Sequence, residues 1–209
     1  PHDRRRDAPC RILSVSNLVQ TTAPAGEPIT LVQAKAWLRI DGSEEDVVIT
    51  ELIEAARVYA EKVTRRALVT QGFELSLDAF PSGREIELPR SPLRSVASVS
   101  YYDEEAAQLQ TLSSDSYHVD TRSQPGRIVL AEDAEWPETA DRPNAVIIAF
   151  TAGYGTPSQI PQPVRVAIRP LVTHWHTTAR GTTNLGNIVN EIPHTEDELL
   201  QTGRIPEFV

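Results

Sequence analysis

The chain has 209 residues with 20 basic and 29 acidic side chains, a formal net charge of −9. A chain this acidic is a poor candidate for gripping nucleic acid through phosphates, because that binding runs on clustered Lys and Arg. The only cysteine is Cys10, so neither an intrachain disulfide nor a Cys-based zinc site is available. No apolar run approaches the roughly 20 residues that span a bilayer, and the start lacks the apolar stretch of a secretion signal. The expectation is a soluble intracellular protein of one domain with tails.

Charge is unevenly spread. Residues 67–155 carry six Arg against fourteen acids, whereas 156–180 carry three Arg and no acid. Residues 181–209 return to one Arg and five acids.

Residues 1–26 have no sustained period and read as an N-terminal arm. Arg11 to Val19 alternates enough to pair as a strand, and Thr21-Thr22-Ala23-Pro24-Ala25-Gly26 reads as a linker. A first helix over about 30–41 opens with Thr30 and Gln33 in capping-box spacing, and Asp41-Gly42 ends it. A second, over about 43–67, takes Ser43 as its cap. It carries an apolar stripe from Ile49 through Ile53, Ala56 and Ala60 to Val63.

From Gly72 the period changes to two. Strands are expected at Phe73–Leu77, Glu85–Leu88, Val96–Tyr101, Leu109–Leu112, Tyr117–Val119, Arg127–Leu130 and Ala145–Thr151. Together they make a β-rich insertion of about 72–155, a small antiparallel sheet or barrel. A third helix, about 161–180, starts at Pro161-Gln162-Pro163 and holds Pro170 inside it, which predicts a kink. The fold class is therefore α+β: a three-helix bundle core with an antiparallel β-rich insertion between helices 2 and 3, plus extended N- and C-terminal arms. Trp37, Ile53 and Trp175 are expected in the core. Residues 181–209 read as a polar tail with a short possible helix at Glu196–Gln201.

Catalytic patterns are weak. His174 and His176 point about 200° apart on a helix and cannot share a metal. Gly153-Tyr154-Gly155 lacks the lysine and spacing of a phosphate loop. His118 and Asp120 share a strand face, which alone is no triad, and no G-x-S-x-G elbow exists. Asp103-Glu104-Glu105 falls at an expected hairpin tip. No cofactor is expected.

Several ordered stretches carry a resemblance. They are Pro28-Ile29-Thr30-Leu31 through Leu38-Arg39-Ile40-Asp41; Glu45-Asp46 through Ala55-Ala56-Arg57 to Arg66-Ala67-Leu68; and Leu88-Pro89-Arg90 with Pro92-Leu93. Pro125-Gly126-Arg127-Ile128 and Arg142-Pro143-Asn144 follow, then Ala152-Gly153-Tyr154-Gly155 and Pro161 through His174-Trp175. Over residues 27–180 the chain resembles the head–tail connector (adaptor) proteins of tailed bacteriophages and gene transfer agents. It departs in a longer N-terminal arm, in Pro170, and in a tail that matches only at Glu191-Ile192-Pro193 and Leu199-Leu200.

The resemblance implies a non-enzymatic structural protein of the virion head–tail interface, present in the host cytoplasm during assembly. It implies a ring, commonly of twelve copies, bound to the portal protein and presenting a platform to the stopper or tail-completion protein. DNA would pass through its channel without specific binding, and no membrane is involved. In such a ring repeated acidic surfaces repel unless Arg84, Arg90, Arg94, Arg122 or Arg127 pairs across the interface. The tail residues Leu185, Ile188, Ile192, Leu199, Leu200, Ile205 and Phe208 are the expected anchors on the portal or a neighbouring copy. The alternatives are a small hydrolase-type enzyme using His118 or His174, and a standalone β-rich binding module.

Overall fold

The computed structural model describes residues 17–105 and 108–180. The expectations for the 181–209 tail, including its seven apolar anchors, and for residues 1–16 lie outside the described residues.

Three helices pack against one another: α1 (Leu31–Leu38), α2 (Asp46–Thr64) and α3 (Gln162–Arg180). Thr30 caps α1 as expected, its hydroxyl accepting from Gln33 N and Gln33 reaching back to Thr30 N. The helix stops earlier than 41 because Arg39 turns left-handed, at φ 56°. Ser43 does not cap α2. It sits in a turn, its carbonyl accepting from Asp46 N, and Glu45 is the cap residue, with no side-chain bond to the helix amides. Lys35 supplies the missing order: its ammonium bonds the Gly42 carbonyl and lies 2.6 Å from Asp46, tying the end of α1 to the start of α2. α2 ends where Arg65 turns left-handed at φ 57°. The helix α3 runs through Pro170.

The apolar stripes meet where periodicity places them. Ile49, Ile53, Ala56 and Ala60 of α2 face Val164, Ala167, Ile168 and Leu171 of α3, with Leu68, Val69 and Ile160 closing the layer. Ile53 is core, as expected. Trp37 and Trp175 are only partly buried at its rim. Arg169 covers the Trp37 ring at 4.1 Å, and Tyr59 meets Trp175 edge-on at 5.8 Å.

Two antiparallel sheets make up the rest, and the β region between α2 and α3 carries nearly all of them. The larger has the order β1-β2-β8-β4-β5, from β1 (Asn17–Thr22), β2 (Gln71–Leu77), β4 (Leu93–Tyr102), β5 (Leu109–Thr111) and β8 (Val146–Ala152). The smaller is β3 (Glu85–Leu88), β7 (Gly126–Leu130) and β6 (Tyr117–Asp120), in that order. β1 comes from the stretch before the helices and pairs with β2 from Asn17↔Ser76 onward.

Alternation along β8 and most of β2 buries one face of each, whereas β4 is interrupted by two register shifts. Phe73, Leu75 and Leu77 of β2 and Val146, Ile148 and Phe150 of β8 share a core with Ile86, Leu88 and Ile128 of the smaller sheet. Gly126 lets the sheets close, since a Cβ there would collide with the Leu93 side chain of β4.

Candidate functional site

The residues that could do chemistry are occupied by structure. His176 is buried, and its Nε2 lies 2.6 Å from Glu45, which fastens α3 to the start of α2. His174 is half-exposed on another side of the helix. His118 is exposed on β6. Its neighbour Asp120 accepts from Arg122 N (2.9 Å), Ser123 N (3.2 Å), Ser123 Oγ (2.6 Å) and Arg127 Nε (3.2 Å). Those donors, Ser123 first, hold its carboxyl well below the usual range. The carboxylate thus organises the turn from β6 to β7, and Ser123 spends its proton on it.

The loop Gly153-Tyr154-Gly155 is spent in the same way. Gly153 N donates to Pro92 O and Tyr154 N to Leu68 O, while Gly155 O accepts from Thr70 N. Phosphate cradles need free amides pointing at the ligand. At Gly153 (φ 128°) a Cβ would meet the Val69 carbonyl, so the glycine serves a close crossing between sheet and helical layer. Among the described residues no three His, Cys, Asp or Glu side chains group as a metal site.

A buried ionic cluster joins the two layers. Arg57 Nη1 lies 3.1 Å from Glu61 Oε2, one turn along α2, and Arg57 Nε bonds Glu27 at 2.9 Å. The other Glu61 oxygen accepts from Leu68 N (2.8 Å) and Gln71 Nε2 (2.6 Å), and Gln20 of β1 donates to Gln71 Oε1 (2.7 Å). Burial pushes the Glu27 carboxyl up, and the Arg57 guanidinium offsets this only in part. Sequence reading missed this cluster: Arg57 and Glu61 at i,i+4 look like an exposed helical pair, and only the arrival of β2 buries them.

The five arginines expected at an interface divide into two groups. Arg84 donates to the Ala131 and Glu132 carbonyls, Arg90 to Glu61 O at 3.1 Å, and Arg127 pairs with Asp120 and with Glu85 at 2.8 Å. The Arg94 and Arg122 side chains have no ion pair among the described residues and are exposed. Arg94 stands at an open cleft of about 360 Å3 whose walls include Val69, Thr70, Gly155, Pro157 and Gln159.

The hairpin tip between β4 and β5 carries Asp103, Glu104 and Glu105, as expected. Glu104 lies against Glu138, whose hydrogen bond and charge push the Glu104 carboxyl up. Tyr101 packs on Phe80, which stacks on Trp136 at 4.7 Å. Arg142 covers the Tyr102 ring at 3.8 Å.

The geometry thus offers charged and aromatic surfaces and no assembled catalytic group among the described residues. Residues 28–124 match the model of a known family, described as phage gp6-like head-tail connector protein. Over that stretch the chain is similar to the phage gp6-like head-tail connector family. The connector family is structural rather than enzymatic.

No curated protein matches the chain. Three solved structures share the chain's fold. The first is from the neck of an empty gene transfer agent particle computed with C6 symmetry, at TM-score 0.74 and 21% identity. The second is from the virion of a native gene transfer agent particle, at 0.73 and 22%. The third is from the neck of a native particle computed with C12 symmetry, at 0.67 and 21%. Each alignment covers 92% of this chain and 97% of the other.

Proposed function

We propose that the chain is the head–tail connector of a tailed phage or gene transfer agent, assembling as a twelve-membered ring beneath the portal in the virion neck. The observation that carries this reading is the family match over 28–124, continued by a shared fold over 92% of the chain. The C6 and C12 symmetries of the neck structures with that fold agree with a ring of twelve copies. The ring extends the DNA channel and presents its far face to the stopper or tail-completion protein. Its net charge of −9 keeps phosphates from adhering, so DNA slides past.

Between neighbouring copies, Arg94 and Arg122 are the arginines best placed to pair with carboxylates, because Arg84, Arg90 and Arg127 already have partners at home. The terminal segment 181–209, through Leu185, Ile188, Ile192, Leu199, Leu200, Ile205 and Phe208, anchors on the portal or an adjoining copy in the assembled neck. Extended, its 29 residues reach roughly 100 Å at ~3.3–3.6 Å each.

The test is reconstitution. The purified full chain, mixed with purified portal and imaged by electron microscopy, is expected to form a ring on one portal face. A chain that neither co-sediments with portal nor forms rings overturns the reading.

A further inference from the structure

Between α1 and α3 the surface opens into a small notch of about 80 Å3. Trp37 and Val166 form its apolar walls, and Gln33, Gln162, Arg165 and Arg169 supply its polar groups. Arg165 Nε is sealed from solvent and has no hydrogen-bond partner among the described residues. A buried donor without an acceptor carries an uncompensated desolvation cost. Neither Arg165 nor Arg169 has a carboxylate within ion-pair distance among the described residues, and Arg169 lies flat on Trp37. Neither α1 nor α3 contains an acid.

We propose that this notch is a carboxylate-binding site, occupied in the free chain by the acidic run Glu196-Asp197-Glu198 of the same chain. Turned outward into the notch, the Arg165 edge formed by Nε and Nη offers two parallel N–H donors, which match the two oxygens of a carboxylate and end the burial of the unpartnered Nε. The apolar walls receive the methylenes of an acidic side chain or the adjoining Leu199 and Leu200. A nucleic-acid phosphate suits the site less well, because the molecule around it carries net charge −9.

Charge and reach select the occupant. The α3 wall of the notch lies in the stretch 156–180, which has three Arg and no acid, and the chain beyond Arg180 has five acids against one Arg. From Arg169 to Arg180 the helix advances ~17 Å at ~1.5 Å per residue. The sixteen residues from Arg180 to Glu196 stretch to ~53–58 Å at ~3.3–3.6 Å each, so the acidic run folds back onto the notch with slack. Held there, the segment is withheld from other partners until one binds it more strongly. The inference concerns the isolated chain and does not depend on its role in a neck.

The experiment uses full-length protein with Cys10→Ser, so that two introduced thiols are the only ones. Val166→Cys places one at the notch and Thr195→Cys the other beside the acidic run. In dilute protein an intrachain disulfide is expected, in yield several-fold above that of the control pair Val119→Cys with Thr195→Cys. Arg165→Gln is expected to lower the yield about tenfold, the lower end of the scale of one lost charge-assisted hydrogen bond. The triple change Glu196→Gln, Asp197→Asn and Glu198→Gln is expected to do the same, and it decides the matter should Arg165→Gln disturb folding. Equal yields at positions 166 and 119, or a yield that the triple change leaves unaltered, overturn the proposal. Disulfides formed mainly between chains overturn the same-chain occupant.

Discussion

At the scale of single residues, charge and burial set opposite demands on carboxyl groups. Asp120 is held in the ionised form by Ser123, Arg122 and Arg127. Its folded value lies below its unfolded one, so its contribution to stability is present above the ordinary Asp range and is lost as pH falls through the depressed value. Glu27 has the reverse sign: burial raises it, and the stability linked to its protonated form is lost as pH rises through the raised value. Carboxyl-carbon NMR titration is expected to find Asp120 below and Glu27 above the ordinary values of 3.8 and 4.5. Asp120→Asn is expected to leave Arg127 with Glu85 alone and to quicken amide exchange at Arg122 and Ser123.

The aromatic rim illustrates how far composition reaches at this scale. Trp37 lies on the apolar stripe of α1, and a fully buried Trp→Ala would cost ~3–5 kcal/mol. Because the ring is only partly buried, under Arg169, Trp37→Ala is expected to cost about 2 kcal/mol, below the fully buried range. Phe150→Ala, at 2% exposure in the centre of the sheet core, is expected to cost about 3–5 kcal/mol. Denaturant melts of the two variants distinguish them. The sequence places both side chains on apolar faces, but not the cation that lids one of them.

At the scale of elements, the junction between helices and sheet rests on the Arg57–Glu61 cluster. Arg57 is 5% and Glu61 8% exposed; Arg57 pairs with Glu61, Glu54 and Glu27, and Glu61 accepts from Arg57, Leu68 N and Gln71, which in turn accepts from Gln20 of β1. Removing one member strands the rest without water. Glu61→Ala is therefore expected to cost about 3–5 kcal/mol, with Leu68 N, Gln71 and Arg57 all losing an acceptor. Chemical unfolding of the variant checks this; a loss under about 1 kcal/mol, the range of an exposed pair, would contradict it. Gly126→Val is expected to destabilise by overpacking, because Leu93 already fills the space a side chain would need.

Element existence was legible where local chemistry decides it. The Thr30–Gln33 box, the Ile49–Val63 stripe and the alternation of Phe73, Leu75 and Leu77 rest on neighbours in sequence, and the structure has all three. What escaped depends on distant partners. Ser43 is a good cap residue in isolation, but Lys35 fixes the turn through Gly42 and Asp46, so α2 begins at Asp46 instead. The pairing read at Arg11 to Val19 is seen in its described part at Asn17–Val19, but the strand runs on through Thr21-Thr22, read as linker, because β2 offers it an edge. The notch between α1 and α3 was invisible for the same reason: Gln33 and Arg165 meet only after the helices pack.

At the scale of the whole molecule, ends and edges matter for assembly. Under the proposed function, deleting residues 185–209 is expected to leave a folded domain, since the described cores lie within residues 18–175. The truncated chain is expected to lose co-sedimentation with purified portal. Equal binding by full-length and truncated protein would show that the domain face, not the tail, makes the contact. Arg94→Glu is expected to leave the thermal melt of the isolated chain within about 0.5 kcal/mol, as for an exposed side chain without a partner, while reducing ring formation. A shifted melt with intact rings would oppose that assignment.

The position of β8 has a consequence for biosynthesis. It is the middle strand of its sheet, yet it is the last of the described strands to leave the ribosome, and its Val146 pairs with Leu77 of β2 across the whole of β3 to β7. Until it arrives, the β1–β2 pair and the β4–β5 hairpin can exist only separately, each with one open inner edge. Such long-range closure is slow, because loop entropy is lost before the pairing repays it. A nascent chain stalled before residue 146 thus exposes two templates for strand addition, and its demand for chaperones is expected to fall sharply once residues 146–152 have emerged.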